Sequence, residues 1–210
     1  ETGFRIVGAH TDSPGLRLKP KAASNSDGLA RLAVEIYGGP ILATFTDRDL
    51  SLAGRVVVRT ASGQQTRLLR FEQSLVRLPN LAIHMNRDVN EQGLKLNKQS
   101  ELPLTLGQLG EDDDAEAQLR KLLADAAQAQ AADLLSWELA VYDVQKGSLW
   151  GANKEFIASR QLDNLASTYA ALTALIATPQ PTATCVAALF DHEEVGSESA
   201  SGAGGSFVTD

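Results

Sequence analysis

The stretch that decides the fold class lies near the carboxyl end of the chain, where residues 182–194 have the sequence TATCVAALFDHEE. The first part of the stretch is an almost continuous apolar run, which is typical of a strand buried on both faces of a sheet. The polar residues that follow would then lie at the edge where open α/β sheets bind ligands. The stretch therefore predicts a buried strand of an α/β domain with a candidate site at its end.

Two further segments complete this α/β pattern. Residues 3–9, GFRIVGA, predict a second buried strand, and this strand also runs into polar residues, HTD at 10–12. Between the two strands, helical spacing of apolar residues predicts a helix that follows Asp163 and ends before Pro179. The apolar face of this helix consists of Leu165, Tyr169, Leu172 and Ile176.

The middle of the chain has a different character. Residues 13–28 contain prolines, glycines and a Ser-Asn-Ser-Asp turn cluster, which together predict a linker. Alternating or β-branched segments then predict an antiparallel β unit, and the acidic residues 112–114 precede a predicted amphipathic helix. The predicted strands cover residues 31–37, 55–60, 66–71, 75–78 and 137–143.

These patterns divide the chain into two domains. Residues 1–15 and 151–210 form the α/β domain, and a β-rich insertion occupies residues 16–150. The chain begins with Glu rather than Met, enters a strand at once, and ends shortly after a Gly-rich turn. We therefore expect these residues to be a fragment of a longer protein, with the α/β domain incomplete.

Composition excludes several classes of function. The chain has 19 basic and 26 acidic residues and a net charge of -7, which disfavours binding to nucleic acid or to anionic membranes. No stretch approaches the roughly 20 apolar residues that a membrane-spanning helix needs. The single cysteine, Cys185, excludes an intrachain disulfide and favours a reducing compartment.

The first candidate site residues are His10 and Asp12. The chain has 3 histidines, so carboxylates would have to supply most ligands of any metal site. Two residues apart in an extended segment, His10 and Asp12 lie on the same side, where Asp12 can accept a hydrogen bond from the far nitrogen of a ligating His10. A solvent-facing loop histidine beside a turn-forming aspartate explains the same residues.

Three acidic residues are the other candidates. Glu193 and Glu194 follow a predicted strand, where one carboxylate can bind a cation while the other accepts a proton from water. A solvated loop is the alternative for this pair. Asp163 either caps the predicted helix or faces a cleft. The HExxH motif of zinc proteases is absent, because residue 196 is Gly.

Six motifs in a fixed order are more specific than any of these residues alone. They are GAHTDSP at 8–14, YGG at 37–39, DRDLSLAGRV at 47–56, IHMNR at 83–87, LDNL at 162–165 and DHEEVGS at 191–197. Over essentially its whole length the chain resembles the M18 family of metallo-aminopeptidases, the aspartyl aminopeptidases.

The resemblance implies a set of properties that the residues alone do not establish. The α/β part would belong to a zinc-peptidase-like catalytic domain, and the β-rich insertion would be an assembly domain that builds dimers into a dodecamer. The enzyme would be cytoplasmic and would release N-terminal aspartate or glutamate from peptides. His84 would contribute to substrate binding in the active site of a neighbouring subunit.

The resemblance also implies a role for each candidate site residue. His10 would bind one zinc ion, Glu194 would bind a second, and Asp163 would bridge both, with cobalt or manganese as alternative metals. Glu193 would be the general base. Asp12 would orient His10.

The resemblance also sets limits. Family members are about twice as long and take two further metal ligands from a segment after the Glu-Glu motif. Because each metal needs four or more donors, we expect these residues by themselves to bind metal weakly and to hydrolyse nothing. Two alternatives remain open: a related co-catalytic metallo-carboxypeptidase or deacylase, and a non-catalytic assembly subunit.

Overall fold

The structure is a computed structural model that describes residues 3–209, which form ten strands and three α-helices. The strands are β1 Phe4–His10, β2 Gly15–Ser26, β3 Leu29–Tyr37, β4 Leu50–Thr60, β5 Gly63–Arg70, β6 Leu104–Gln108, β7 Leu134–Asp143, β8 Ser148–Trp150, β9 Phe156–Ala158 and β10 Thr184–Phe190. The helices are α1 Val89–Gln92, α2 Ala115–Ala127 and α3 Leu162–Ile176. Short 3-10 turns cover Leu42–Phe45, Ile83–Met85, Ala131–Asp133, Glu193–Val195 and Ser206–Val208.

Contacts divide the chain into two compact units. The first unit comprises the residues up to Pro14, the short segment Tyr37–Gly39 and the residues from Lys146 onward. The second unit comprises Gly15–Ile36 and Pro40–Gln145. The predicted boundaries, 15/16 and 150/151, describe a single uninterrupted insertion, whereas the structure assigns Tyr37–Gly39 to the first unit.

The first unit contains a two-stranded parallel sheet with α3 packed against it. β1 pairs with β10 in a regular register that runs from Phe4 opposite Thr184 to His10 opposite Phe190. Because the carboxyl ends of parallel strands meet at the same edge, the residues after His10 and after Phe190 emerge side by side. This pairing is what positions the candidate site.

The second unit is built on a six-stranded sheet in the order β5-β4-β7-β2-β3-β6. The registered pairs of β4 with β5, β4 with β7 and β3 with β6 are all antiparallel, as the sequence predicts. α2 begins directly after the acidic residues 112–114, and the side chain of Asp114 caps it by accepting from the Ala117 N–H at 2.8 Å. Leu119 and Leu123 of this helix are 0% exposed within the core of the unit.

The predicted linker over residues 13–28 is wrong. Residues 15–26 form β2, a strand in the interior of the six-stranded sheet. Leu16 and Leu18 are buried, while Arg17 and Lys19, which alternate with them, are not. This alternation of apolar and charged residues indicates a strand, and the neighbouring prolines and turn residues concealed it.

Two predictions of burial are also wrong for the described residues. Phe4 and Ile6 of β1 are 72% and 49% exposed, and β10 is buried only in part. The predicted apolar face of α3 is exposed, and the buried residues of this helix are Thr168 and Ala171.

The helices are short compared with a lipid bilayer. Within residues 3–209, the structure has no helix with the length and apolar character that crossing a membrane requires.

Candidate metal centre

The site forms where β1 and β10 end. The Thr11 N–H donates to the Phe190 carbonyl at 2.9 Å. This hydrogen bond holds the two segments together one residue beyond the end of β1. After Phe190 the chain turns sharply, because His192 adopts a left-handed conformation with a φ of 60°. The 3-10 turn Glu193–Val195 follows and brings both glutamates back towards the end of β1.

His10 presents one ring nitrogen to acceptors on each side. Nδ1 lies 3.1 Å from the backbone oxygen of Asp12 and 3.3 Å from its Oδ1. Because both of these neighbours only accept hydrogen bonds, the proton of a neutral His10 is placed on Nδ1. The lone pair of Nε2 then faces Asp163 Oδ1 at 3.2 Å and Glu193 Oε2 at 3.8 Å.

Charge around His10 favours a positive group at this position. Burial by itself would lower the pKa of His10, but the Asp12 backbone oxygen and the negative charges of Glu193, Asp12 and Asp163 outweigh it and raise the pKa. The carboxylates therefore stabilise a cation beside the ring, whether the cation is the proton on His10 or a metal.

Asp12 connects the two strand ends. Its side chain is 4% exposed, and its Oδ2 accepts from the Tyr37 hydroxyl at 2.6 Å and from the Glu194 N–H at 3.1 Å. Its Oδ1 accepts from the Glu193 N–H at 3.2 Å and faces His10. Burial would raise the pKa of Asp12, but the hydrogen bonds from Tyr37, Glu194 and Glu193 lower it, so Asp12 is a carboxylate.

The two glutamates approach the same point as His10. One ligand atom from each of His10, Glu193 and Glu194 lies within 4.8 Å of the others, as in a metal site. Burial, and then the charge of Glu193, raise the pKa of Glu194. This repulsion between neighbouring carboxylates is what a bound cation would relieve.

Asp163 does not act as a helix cap. The residue lies at the start of α3 with non-helical angles, φ -84° and ψ 112°, and the N-cap position belongs to Gln161. The Asp163 side chain is 84% exposed and reaches His10 Nε2, while its backbone oxygen accepts from the Ser13 hydroxyl at 3.2 Å. The sequence leaves two roles open for Asp163, a helix cap and a residue that faces a cleft. The structure favours the second role.

Among the described residues, the group of metal-ligand atoms includes neither of the other two histidines. His192 Nδ1 is 2.8 Å from the Ser199 hydroxyl, so this ring is part of the loop's own hydrogen bonding. His84 is exposed in the 3-10 turn Ile83–Met85 of the second unit. The structure therefore brings together five of the six predicted site residues, which are His10, Asp12, Asp163, Glu193 and Glu194.

Sequence reasoning assigned no role to three residues that contact the site. Tyr37 binds Asp12, Gly38 packs against Glu194, and the Thr168 hydroxyl donates to the His10 backbone oxygen at 3.1 Å. Tyr37 and Gly38 belong to one of the six motifs, and this motif was the only signal in the sequence.

The donor set fits a divalent cation. One imidazole nitrogen and several carboxylates are ligands that zinc accepts, and Asp12 supplies the second hydrogen bond that ligating histidines commonly make. Together with the strand-end position, these features define an α/β protein with a carboxylate-rich cation site.

Comparison with known proteins identifies the family. Residues 1–210 match the family model described as aminopeptidase I zinc metalloprotease (M18). The chain therefore belongs to the M18 aminopeptidase family. It is 47% identical over 212 residues to the probable M18 family aminopeptidase 2 of Azotobacter vinelandii, an alignment that covers 99% of this chain and 48% of that protein. The chain spans about half the length of the curated relatives it matches.

Solved structures confirm the fold. One similar chain comes from the cryo-EM structure of the Ape4 and Nbr1 complex, with a TM-score of 0.92, 34% identity, and coverage of 99% of this chain and 44% of that one. Another is the S. cerevisiae mApe1 dodecamer, with a TM-score of 0.79, 26% identity, and coverage of 99% and 48%. The predicted family and the predicted α/β fold class are thus both confirmed.

Proposed function

We propose that the first unit carries metal-binding residues of an aminopeptidase that removes N-terminal aspartate or glutamate from peptides with the help of two zinc ions. One observation carries this proposal: ligand atoms of His10, Glu193 and Glu194 lie within 4.8 Å of one another, and Asp163 Oδ1 lies 3.2 Å from His10 Nε2. Membership of the M18 family supports the peptidase activity. The preference for acidic residues rests on the resemblance carried by the six motifs.

Three side chains would hold the metal. His10 would bind one ion, Glu194 the other, and Asp163 would bridge them. When bound, zinc polarises a substrate carbonyl and lowers the pKa of water. Asp12 keeps the proton of His10 on Nδ1, so that Nε2 is free to be a ligand.

Glu193 is the residue for proton transfer. Its side chain is 53% exposed, so water and the substrate amine can both reach it, and its Oε2 lies 3.8 Å from His10 Nε2. As general base, Glu193 takes a proton from the attacking water and then delivers it to the leaving amine. Its backbone N–H is fixed by Asp12, so the side chain starts from a defined position.

The second unit supplies assembly in this proposal. A solved structure similar to this chain is described as a dodecamer, and we extend self-association to the present protein. His84, exposed in the second unit, would then bind substrate in a neighbouring subunit. Sedimentation of the protein, followed by mixing of His84→Ala and Glu193→Gln subunits, tests both points. Recovery of activity in mixed particles is expected, and its absence contradicts the role of His84.

The decisive experiment separates the base from the ligands. Glu193→Gln removes the base but keeps the size of the side chain, so kcat should fall by about 10²–10⁴-fold. Zinc affinity, measured by titration calorimetry on the intact protein, should change little. A large loss of zinc affinity would instead identify Glu193 as a ligand, a role that its place among the clustered ligand atoms also permits.

A matched variant and matched substrates complete this test. Glu198→Gln changes an exposed glutamate later in the same loop and should leave kcat and zinc affinity unchanged. Peptides that begin with free aspartate should be cleaved and acetyl-aspartyl peptides should not. Turnover of the acetylated peptides alone would favour a deacylase. Tight binding of two zinc equivalents by residues 1–210 alone would contradict the expectation of weak binding.

A further inference from the structure

The segment Tyr37–Gly39 has a position in the fold that the proposed chemistry leaves unexplained. Tyr37 is the last residue of β3, a strand of the six-stranded sheet, yet Tyr37–Gly39 makes its contacts with the first unit. Residues on both sides, Gly15–Ile36 and Pro40–Gln145, belong to the second unit. These three residues are therefore grouped with a different unit from their neighbours in sequence, and two of them, Tyr37 and Gly38, contact the centre.

Tyr37 makes the shortest hydrogen bond to the most buried carboxylate of the centre. Its hydroxyl donates to Asp12 Oδ2 at 2.6 Å, which is the length expected of a bond from a hydroxyl to a charged carboxylate. The same oxygen accepts the Glu194 N–H. Because Oδ2 is held in this way, Oδ1 is turned towards the Glu193 N–H and His10 Nδ1.

Gly38 contacts the centre at a second, independent point. Its φ of +65° lies in the left-handed region, and a Cβ placed on it would lie 3.1 Å from Glu194 Cβ and 3.2 Å from the Glu194 carbonyl oxygen. The backbone of Gly38 therefore packs directly against Glu194. Any side chain at this position would displace a residue that is a proposed metal ligand.

We propose that Tyr37 is a positioning residue for the metal centre, acting through Asp12, and that Gly38 provides the space in which Glu194 sits. This inference rests on the proposed function, because it assumes that His10 and Glu194 are metal ligands. Tyr37 touches neither the metal nor the substrate in this scheme. It fixes the orientation of the Asp12 carboxylate, and that orientation fixes His10 and the backbone of Glu194.

The main test compares two tyrosine substitutions. Tyr37→Phe removes only the hydroxyl, and the zinc affinity of the intact protein should fall by up to about 10-fold, since Tyr37 acts through Asp12, the direct partner of the ligating histidine. The absorption spectrum of the cobalt-loaded protein should also change, because the geometry around the metal changes. The control is Tyr169→Phe, a tyrosine of the first unit that is 72% exposed, and both measurements should remain unchanged.

A second pair of variants tests Gly38. Gly38→Ala should weaken zinc binding although Tyr37 is intact. The control is Gly28→Ala, since Gly28 has a similar φ of +72° but nothing within 4 Å of an added Cβ, so it carries the backbone strain without the contact. This comparison tests the role of Gly38 separately from that of Tyr37. Equal zinc affinities for the two glycine variants would overturn the role of Gly38.

One further variant separates this inference from the proposed function. His10→Ala should abolish zinc binding at the site. If His10→Ala still binds zinc normally, the proposed metal centre is refuted and the role of Tyr37 with it. If His10→Ala loses zinc while Tyr37→Phe matches Tyr169→Phe in affinity and in cobalt spectrum, the positioning role of Tyr37 alone is refuted.

Discussion

Replacing Asp12 with asparagine tests the arrangement of the whole centre, because four donors converge on one buried carboxylate. Oδ2 serves the Tyr37 hydroxyl and the Glu194 N–H, and Oδ1 serves the Glu193 N–H and His10 Nδ1. Asparagine offers one acceptor oxygen and one NH2 group. In either orientation of the amide, two of the four donors therefore face the NH2 group, which is itself a donor.

The two placements have different consequences. If the NH2 replaces Oδ2, the Tyr37 hydroxyl can rotate and accept from it, but the Glu194 N–H loses its partner. If the NH2 replaces Oδ1, the Glu193 N–H loses its partner, and His10 Nδ1 keeps only the backbone oxygen of residue 12 as an acceptor. In either placement, one backbone N–H that faces the side chain of residue 12, which is 4% exposed as Asp12, loses its hydrogen-bond partner. This loss should lower the free energy of unfolding by about 1–3 kcal/mol.

Zinc affinity should respond more specifically than stability. Asp12→Asn should weaken zinc binding by about 10–100-fold, because His10 loses the negative charge beside Nδ1 that strengthens Nε2 as a ligand. Titration calorimetry at constant pH measures the affinity, and urea unfolding measures the stability. Asp112→Asn, an exposed aspartate of the second unit, is the matched control. An Asp12→Asn protein with unchanged zinc affinity would refute this account of Asp12.

Two predictions concern the stability of the second unit. Leu119→Ala removes a side chain that is 0% exposed in the core and should lower the free energy of unfolding by about 2–5 kcal/mol, whereas Leu68→Ala, at a site 84% exposed, should change it little. Asp114→Ala removes the cap that accepts from the Ala117 N–H and should cost about 1 kcal/mol, with Asp112→Ala as its control. Urea unfolding measures all four, and equal midpoints within either pair would contradict the corresponding assignment.

Most of the centre could be predicted from sequence because its residues lie at strand ends. Apolar runs that stop at polar residues indicate both the strands and the edge where they end, so His10 and the two glutamates could be found by local pattern alone. The helical spacing before Pro179 was sufficient to predict α3. It could not show which face of α3 is buried, because one of the two buried residues, Thr168, is polar and is held by its hydrogen bond to the His10 backbone oxygen.

Tyr37 could not be found in this way. Its hydrogen bond joins residues 25 positions apart, and no periodicity or capping rule relates the end of β3 to the end of β1. β2 is concealed for a different reason. Turn-forming residues such as Pro20 favour a loop locally, although the alternation around Leu16 and Leu18 indicates a strand and the sheet tolerates this proline. In β2, local preference is therefore overridden by tertiary pairing.

The centre combines one buried carboxylate with exposed ones, and this division suits a site that must accept a cation. Asp12 is 4% exposed and links His10, Tyr37 and the backbone of the Glu193–Val195 turn through fixed hydrogen bonds. Asp163 and Glu193, in contrast, have side chains that are 84% and 53% exposed. Asp12 holds the backbone N–H of Glu193, and the Ser13 hydroxyl donates to the backbone oxygen of Asp163, while both carboxylates are open to solvent. In the proposed centre, Asp12 and its partners would therefore set the geometry, and the exposed carboxylates would adapt to the bound ion.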